Sequence, residues 1–154
     1  MENDQTPLDL RLFSLLSEAD LRAKRTGGAA YDVRIPAALR EWVVEVRMTE
    51  AWVSLRAFVL SLPEAPSLRA SLLEAAMSAN ARTSLTKFSL VDETSLCLEL
   101  EYRQDHLDAA ILRNLVCLIA NVGEAEYPRL FRLATAEDAL ESLESAFNRA
   151  LPEG

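Results

Sequence analysis

Along residues 41–59 apolar and polar side chains alternate. From Glu41 to Met48 the even positions Trp42, Val44, Val46 and Met48 are apolar, and from Ala51 to Val59 the odd positions Val53, Leu55, Ala57 and Val59 are. A period of two marks a strand with one buried face. A turn at Thr49-Glu50 sets Val46 opposite Val53, Val44 opposite Leu55 and Trp42 opposite Ala57, so one hairpin satisfies both patterns. Thr-Glu is a poor two-residue turn because neither residue favours positive φ, and a wider loop of even length is expected. Tyr31-Asp32-Val33-Arg34-Ile35 alternates in the same way and predicts a shorter strand, stopped by Pro36. Further on, a turn through Asp92-Glu93-Thr94 sets Leu90 opposite Leu96 and Phe88 opposite Leu98, the start of a second hairpin.

Between the strands the period changes to that of a helix. Thr6-Pro7-Leu8-Asp9 opens a first helix with a cap, a proline at its first position and an acid near the positive end of the dipole. Leu8, Leu12, Leu15, Leu16 and Ala19 form its apolar face, and Gly27-Gly28 is expected to stop it after the basic turn Arg22, Lys24, Arg25. A second helix is expected over Ser67–Ala81, with Leu68, Leu72, Ala75 and Ala79 on one face and Leu73 and Met77 on a smaller stripe. A third starts at Asp105 as cap, runs to about Val122, and ends at Gly123 or Tyr127-Pro128. It is apolar nearly all round. Leu107, Ile111, Leu115, Leu118 and Val122 can pack on the sheet, which leaves Leu112, Val116, Ile119 and Ala120 for another helix or a second copy of the chain. A fourth helix over about 135–151 turns Ala139, Leu140, Leu143, Ala146, Phe147 and Ala150 inward and Glu137, Glu141 and Glu144 outward.

The expected class is therefore α+β: an antiparallel sheet of about five strands packed under helices, in the order helix, three strands, helix, two strands, helix, helix. The 154 residues suit a single domain, with its core over about 7–133 and the last helix added to it.

Charge narrows the function classes. The formal charge of −8 argues against direct nucleic-acid binding, which needs clustered Lys and Arg, and is compatible with a basic partner. Cys97 and Cys117 lie in different elements with no metal or redox spacing, as in a cytoplasmic protein with reduced thiols. The opening MENDQTP lacks the pattern of a signal peptide, and the apolar run at 109–122 is too short to span a membrane and contains Arg113. A cytoplasmic location is expected.

Catalytic signals are few. His106 is the only histidine and stands beside Asp105 and Asp108, with no local motif tying it to a nucleophile. Glu99 and Glu101 share a strand face, as Glu41 and Glu45 do, which suits a solvated surface as well as acid–base work. No Gly-rich phosphate loop and no GxSxG elbow occurs. No catalytic residue, metal or cofactor is expected. Trp52 and Phe58 are different: they flank Ser54 and Arg56 on the strand face opposite Val53, Leu55 and Val59, where neighbouring strands are polar. Aromatics on a wet face mark a binding patch.

"LLEAAMSANARTSLTKFSLVDETSLCLELEYR" (72–103), a helix followed by a Lys-Phe-Ser-Leu hairpin, resembles the YbjN-like family of small bacterial proteins, which shares the fold of type III secretion chaperones. The resemblance covers about Leu8–Leu133. It implies a homodimer that holds another polypeptide on apolar patches, and it brings no catalytic residues. The expected function is a protein-binding adaptor or chaperone-like factor. Trp52, Ser54, Arg56, Phe58, Glu41 and Glu45 would meet a partner protein, a basic one such as a nucleic-acid-handling protein. Leu112, Val116, Ile119, Ala120, Leu73 and Met77 would form the dimer interface. The alternatives are a small-ligand regulatory domain with a pocket between helices and sheet, and an enzyme using Glu99, Glu101 or His106.

Overall fold

A computed structural model describes residues 6–150, with side chains for 6–136. The elements are α1 (Pro7–Glu18), β1 (Ala23–Gly27), β2 (Ala30–Pro36), β3 (Glu41–Met48), β4 (Trp52–Ser61), α2 (Pro66–Arg82), β5 (Lys87–Val91), β6 (Ser95–Arg103), a 3₁₀ turn (Gln104–His106) and α3 (Ala109–Ala150). The strands form one antiparallel sheet of six, ordered β1-β2-β3-β4-β6-β5. One face carries Tyr31, Val33, Trp42, Val44, Val46, Val53, Leu55, Ala57, Leu98 and Leu100, all buried, and the three helices cover it. The class and layer arrangement match the alternation read from the sequence.

The first helix is shorter than expected, and its remainder is a sixth strand. α1 ends at Glu18 because Asp20 takes the left-handed conformation (φ 54°) and the Leu21 N–H bonds back to the Leu16 carbonyl at 3.1 Å. This is a helix-ending turn built on Asp where Gly is usual. Gly27-Gly28 (φ 155° and 53°) then turns the β1–β2 hairpin instead of stopping a helix. β1 is exposed throughout, so no alternation announces it. It is anchored by a buried carboxylate: Asp9 accepts a hydrogen bond from the Tyr31 hydroxyl at 2.7 Å, and Arg25 Nε lies 3.1 Å from its other oxygen.

The β3–β4 faces are as read, but the pairing is shifted by a wider loop. Met48 stands opposite Val53, Val46 opposite Leu55 and Val44 opposite Ala57, and the Thr49 N–H donates to the Trp52 carbonyl at 2.8 Å. The second hairpin pairs Leu90 with Leu96 and Phe88 with Leu98, as expected. Its turn uses Asp92 and Glu93 at positive φ. A bulge between Phe58 and Leu60 buries Val59 and Leu60 while Phe58 stays outside. Arg40 bonds the Phe58 and Val59 carbonyls there at 3.0 and 2.7 Å.

The third and fourth helices are one. The cap is Asp108, whose carboxylate accepts the Ile111 N–H at 2.7 Å; Asp105 lies in the preceding 3₁₀ turn. Gly123 does not stop α3. It is where the buried Trp42 ring meets the helix, and a Cβ at Gly123 would lie 2.8 Å from that ring. Pro128 does not stop it either, because packing holds both sides: Tyr127 stands edge-on to Trp42 with centroids 5.9 Å apart, Leu130 is buried, and Arg129 bonds the Ala75 carbonyl at 3.0 Å. The side chains assigned to a separate fourth helix, 137–150, lie outside those described.

Gly123 also decides which side of α3 faces the sheet. Leu112, Val116, Ile119 and Ala120 lie on its stripe and are buried within the monomer. These four therefore do not form a dimer interface; the sheet of the same chain occupies them. Ile111, Leu118 and Val122, expected on the sheet, are only partly buried at the flank. Leu73 is partly buried and Met77 is 72% exposed on α2.

Candidate functional site on the open face of the sheet

The helices cover one face of the sheet, so side chains of the opposite parity point away from them. On the central strand β4 these are Trp52, Ser54, Arg56 and Phe58. Trp52 is 43% exposed and Phe58 46%. At about 3.3 Å per residue they stand roughly 20 Å apart along the strand. Charged side chains fill the space around them. One register row crosses all six strands: Lys24, Asp32, Glu45, Arg56, Glu99 and Lys87.

Most of these charges are matched on the face itself. Arg34 meets Glu41 at 2.6 Å, Arg47 lies 3.6 Å from Glu45, and Arg56 pairs with Glu99. Arg103 grips Asp105 at 3.0 Å, which holds that exposed carboxyl below its ordinary pKa. The same guanidinium stands 5.5 Å from the Trp52 ring centroid, its register partner across β4–β6. Ser54 is the one short side chain between Trp52 and Arg56. Above it the surface sinks into a depression of about 210 Å³ lined by Glu45, Arg47, Arg56, Glu99 and Glu101. Next to Phe58, Cys97 is buried, and that burial pushes its thiol pKa up.

The expected patch residues are largely together. Trp52, Ser54, Arg56 and Phe58 form the central line, and Glu45 stands opposite Arg56. Glu41 is at the far end of β3, paired to Arg34 and away from the depression. Glu99, Glu101 and Arg103 were not read as part of the patch. They belong to it because β6, not β5, lies next to β4, and the alternation in 95–103 carries no mark of which strand will be its neighbour.

Among solved structures the chain is similar to YbjN from E. coli, a crystal structure described as a candidate transcription regulator. The TM-score is 0.54 over 88% of this chain and 94% of that one, at 11% identity. The chain has a YbjN-like fold. The likeness is one of fold alone, and the residues of the site stand on their own geometry. No family model and no curated sequence relative matches.

Beyond the open face, this YbjN-like fold carries an open groove of about 500 Å³ between α2 and α3, lined by Ser71, Glu74, Ala75, Ser78, Arg129, Arg132 and Leu133. It lies between helices and not between helices and sheet. His106 is exposed beside Asp105, and Glu99 is tied to Arg56. No helix among the described residues is long and apolar enough to cross a membrane.

Proposed function

We propose that this protein is a non-catalytic, cytoplasmic binding module that engages another protein through the open face of its sheet. The observation that carries this reading is the pair of exposed aromatics, Trp52 and Phe58, on the central strand of an otherwise charged face. Buried where they stand, they would add nothing unusual; exposed, each leaves apolar surface in water that a partner can cover. The strand beneath them is held on both sides by β3 and β6, so the patch is rigid and loses little entropy on binding. The acids expected to favour a basic partner are mostly neutralised by neighbouring arginines, so the aromatics, not Glu41 and Glu45, supply the affinity.

A homodimer remains part of the proposal. Its accessible contact would be the side of α2 around Met77, with Leu73 at its edge. The small-ligand reading draws on the α2–α3 groove and predicts thermal stabilisation by a metabolite.

The test is capture from the source organism's lysate by the wild-type chain and by a Trp52→Ala/Phe58→Ala variant. The variant should fold normally and lose the partner, since central aromatic anchors are worth about 2 kcal/mol or more each. A partner held equally by both would remove the open face from the account.

A further inference from the structure

We infer that the segment bound on the open face carries a single Lys or Arg between two large apolar side chains, the cation seated over Ser54 against Glu101. This rests on the open face being the binding surface and names the chemistry that surface fits.

Charge decides what the depression above Ser54 can hold. Its charged lining consists of Glu45, Arg47, Arg56, Glu99 and Glu101. Arg47 leans on Glu45, and Arg56 is bonded to Glu99. Glu101 is left over. It stands opposite Ser54 in the register, is exposed, and among the described residues has no Lys or Arg nitrogen within 4.0 Å. Arg103, two residues along the same face, gives its guanidinium to Asp105 instead. The depression thus has one excess carboxylate, and its floor is a serine able to accept a hydrogen bond. Arg47, the register partner of Ser54 on β3, is turned to Glu45, so a cation entering on the β6 side would meet an unpaired acid and displace no existing ion pair. An anion would meet Glu101 with no free counter-charge.

The aromatics fix the spacing. An extended segment lying along β4 presents alternate side chains to the face at about 6.6 Å intervals. Trp52 is one such step from Ser54, and Phe58 is two steps beyond it. A segment in one direction therefore reads apolar-x-basic-x-x-x-apolar, and in the other direction the reverse. Glu101, not the arginine-paired Glu41 and Glu45, would then meet the basic residue of the segment.

Panning a random twelve-residue peptide library on phage against the full chain tests this. The Trp52→Ala/Phe58→Ala and Glu101→Gln variants serve as counter-targets. Enriched peptides should carry one Lys or Arg at the stated spacing between apolar residues. A synthetic peptide of that sequence should lose about tenfold in affinity on Glu101→Gln, and replacing its basic residue by Gln should then cost nothing further. Peptides that need Trp52 and Phe58 but show no basic preference, or ignore Glu101→Gln, overturn the inference and leave the open-face reading standing. Peptides that bind the aromatic double variant as well as wild type, or a library that gives no binder, overturn both. Glu101 is exposed, so an unchanged urea midpoint for Glu101→Gln shows that lost affinity is not lost fold.

Discussion

Gly123→Ala separates packing from propensity in a single methyl group. In most helices this change stabilises by about 0.8–1 kcal/mol. Here the new Cβ would lie 2.8, 2.9 and 3.1 Å from three atoms of the Trp42 ring. Carbon atoms rest at about 3.5–4.0 Å, so ring and helix must separate by more than about half an ångström. The ring has little room to retreat. Tyr127 packs against it in a T-shaped pair with centroids 5.9 Å apart, Arg40 sits 4.1 Å from its ring centroid, and its Nε1–H donates to Glu124 at 2.8 Å. Overpacking of this kind costs about 1–3 kcal/mol. After the helix gain, Gly123→Ala should destabilise by up to about 2 kcal/mol, read as a fall in the urea midpoint by far-UV circular dichroism. The decisive arm is the same change in a Trp42→Phe background, where the distal ring atoms are gone. There Gly123→Ala should stabilise by about 1 kcal/mol, so the two changes should couple by roughly 1–3 kcal/mol. If Gly123→Ala stabilises the parent, or if the two changes are additive within about 0.5 kcal/mol, the Trp42 contact is not why residue 123 is glycine.

Other outcomes follow from the same packing. Pro128 is exposed inside α3 and cannot donate to the helix ladder, so Pro128→Ala should raise the urea midpoint, by up to about 3 kcal/mol of stability; a fall would mean that the proline seats Tyr127 and Leu130. Burial, then the hydrogen bond to Asp9, raises the Tyr31 pKa from 10.0 to about 12. The unfolded chain therefore ionises at this residue first, and the contribution of Tyr31 to stability is full below pH 10 and lost as pH rises toward 12. Tyr31→Phe should flatten that loss, while costing about 1–3 kcal/mol at neutral pH because the buried Asp9 carboxylate loses a donor. A variant with the same alkaline profile as wild type would refute the assignment. Cys97 is buried with a raised pKa and Cys117 is only partly buried, so a thiol reagent at neutral pH should label Cys117 first and Cys97 only on unfolding. Light scattering checks the proposed dimer, and Met77→Glu should shift it toward monomer.

What could be read from the sequence depended on whether a signal was local. Alternation in 41–59 and 88–102 assigned the strand faces, because lengthening the loop by two residues leaves a period of two intact; Leu90, on the edge strand β5, stays 43% exposed and Cys97, of the outward parity, is buried. β1 was hidden since all five residues are exposed, and its partner Asp9 is distant in sequence. The end of α1 was missed because Asp20, not glycine, takes the left-handed turn. Helix α3 was cut at Gly123 and Pro128 by rules that hold for isolated helices, and its inner side was misassigned because an all-round apolar helix has no preferred face until Trp42 docks at Gly123. The site divides likewise. The line Trp52, Ser54, Arg56, Phe58 lies on one strand and was legible; Glu101 and Arg103 joined it through the β4–β6 pairing, between strands distant in sequence.

A partner seated on the open sheet face, and not on the helical layer, has a clear signature in site-specific photo-crosslinking. A photoreactive p-benzoylphenylalanine would replace Phe58 on the open face or, as the comparison, Phe13 of α1, which is similarly exposed on the helical side. A covalent adduct with another protein is expected from position 58 and none from position 13. An adduct from position 13, with none from position 58, would put the partner on the helical layer and refute the open-face proposal.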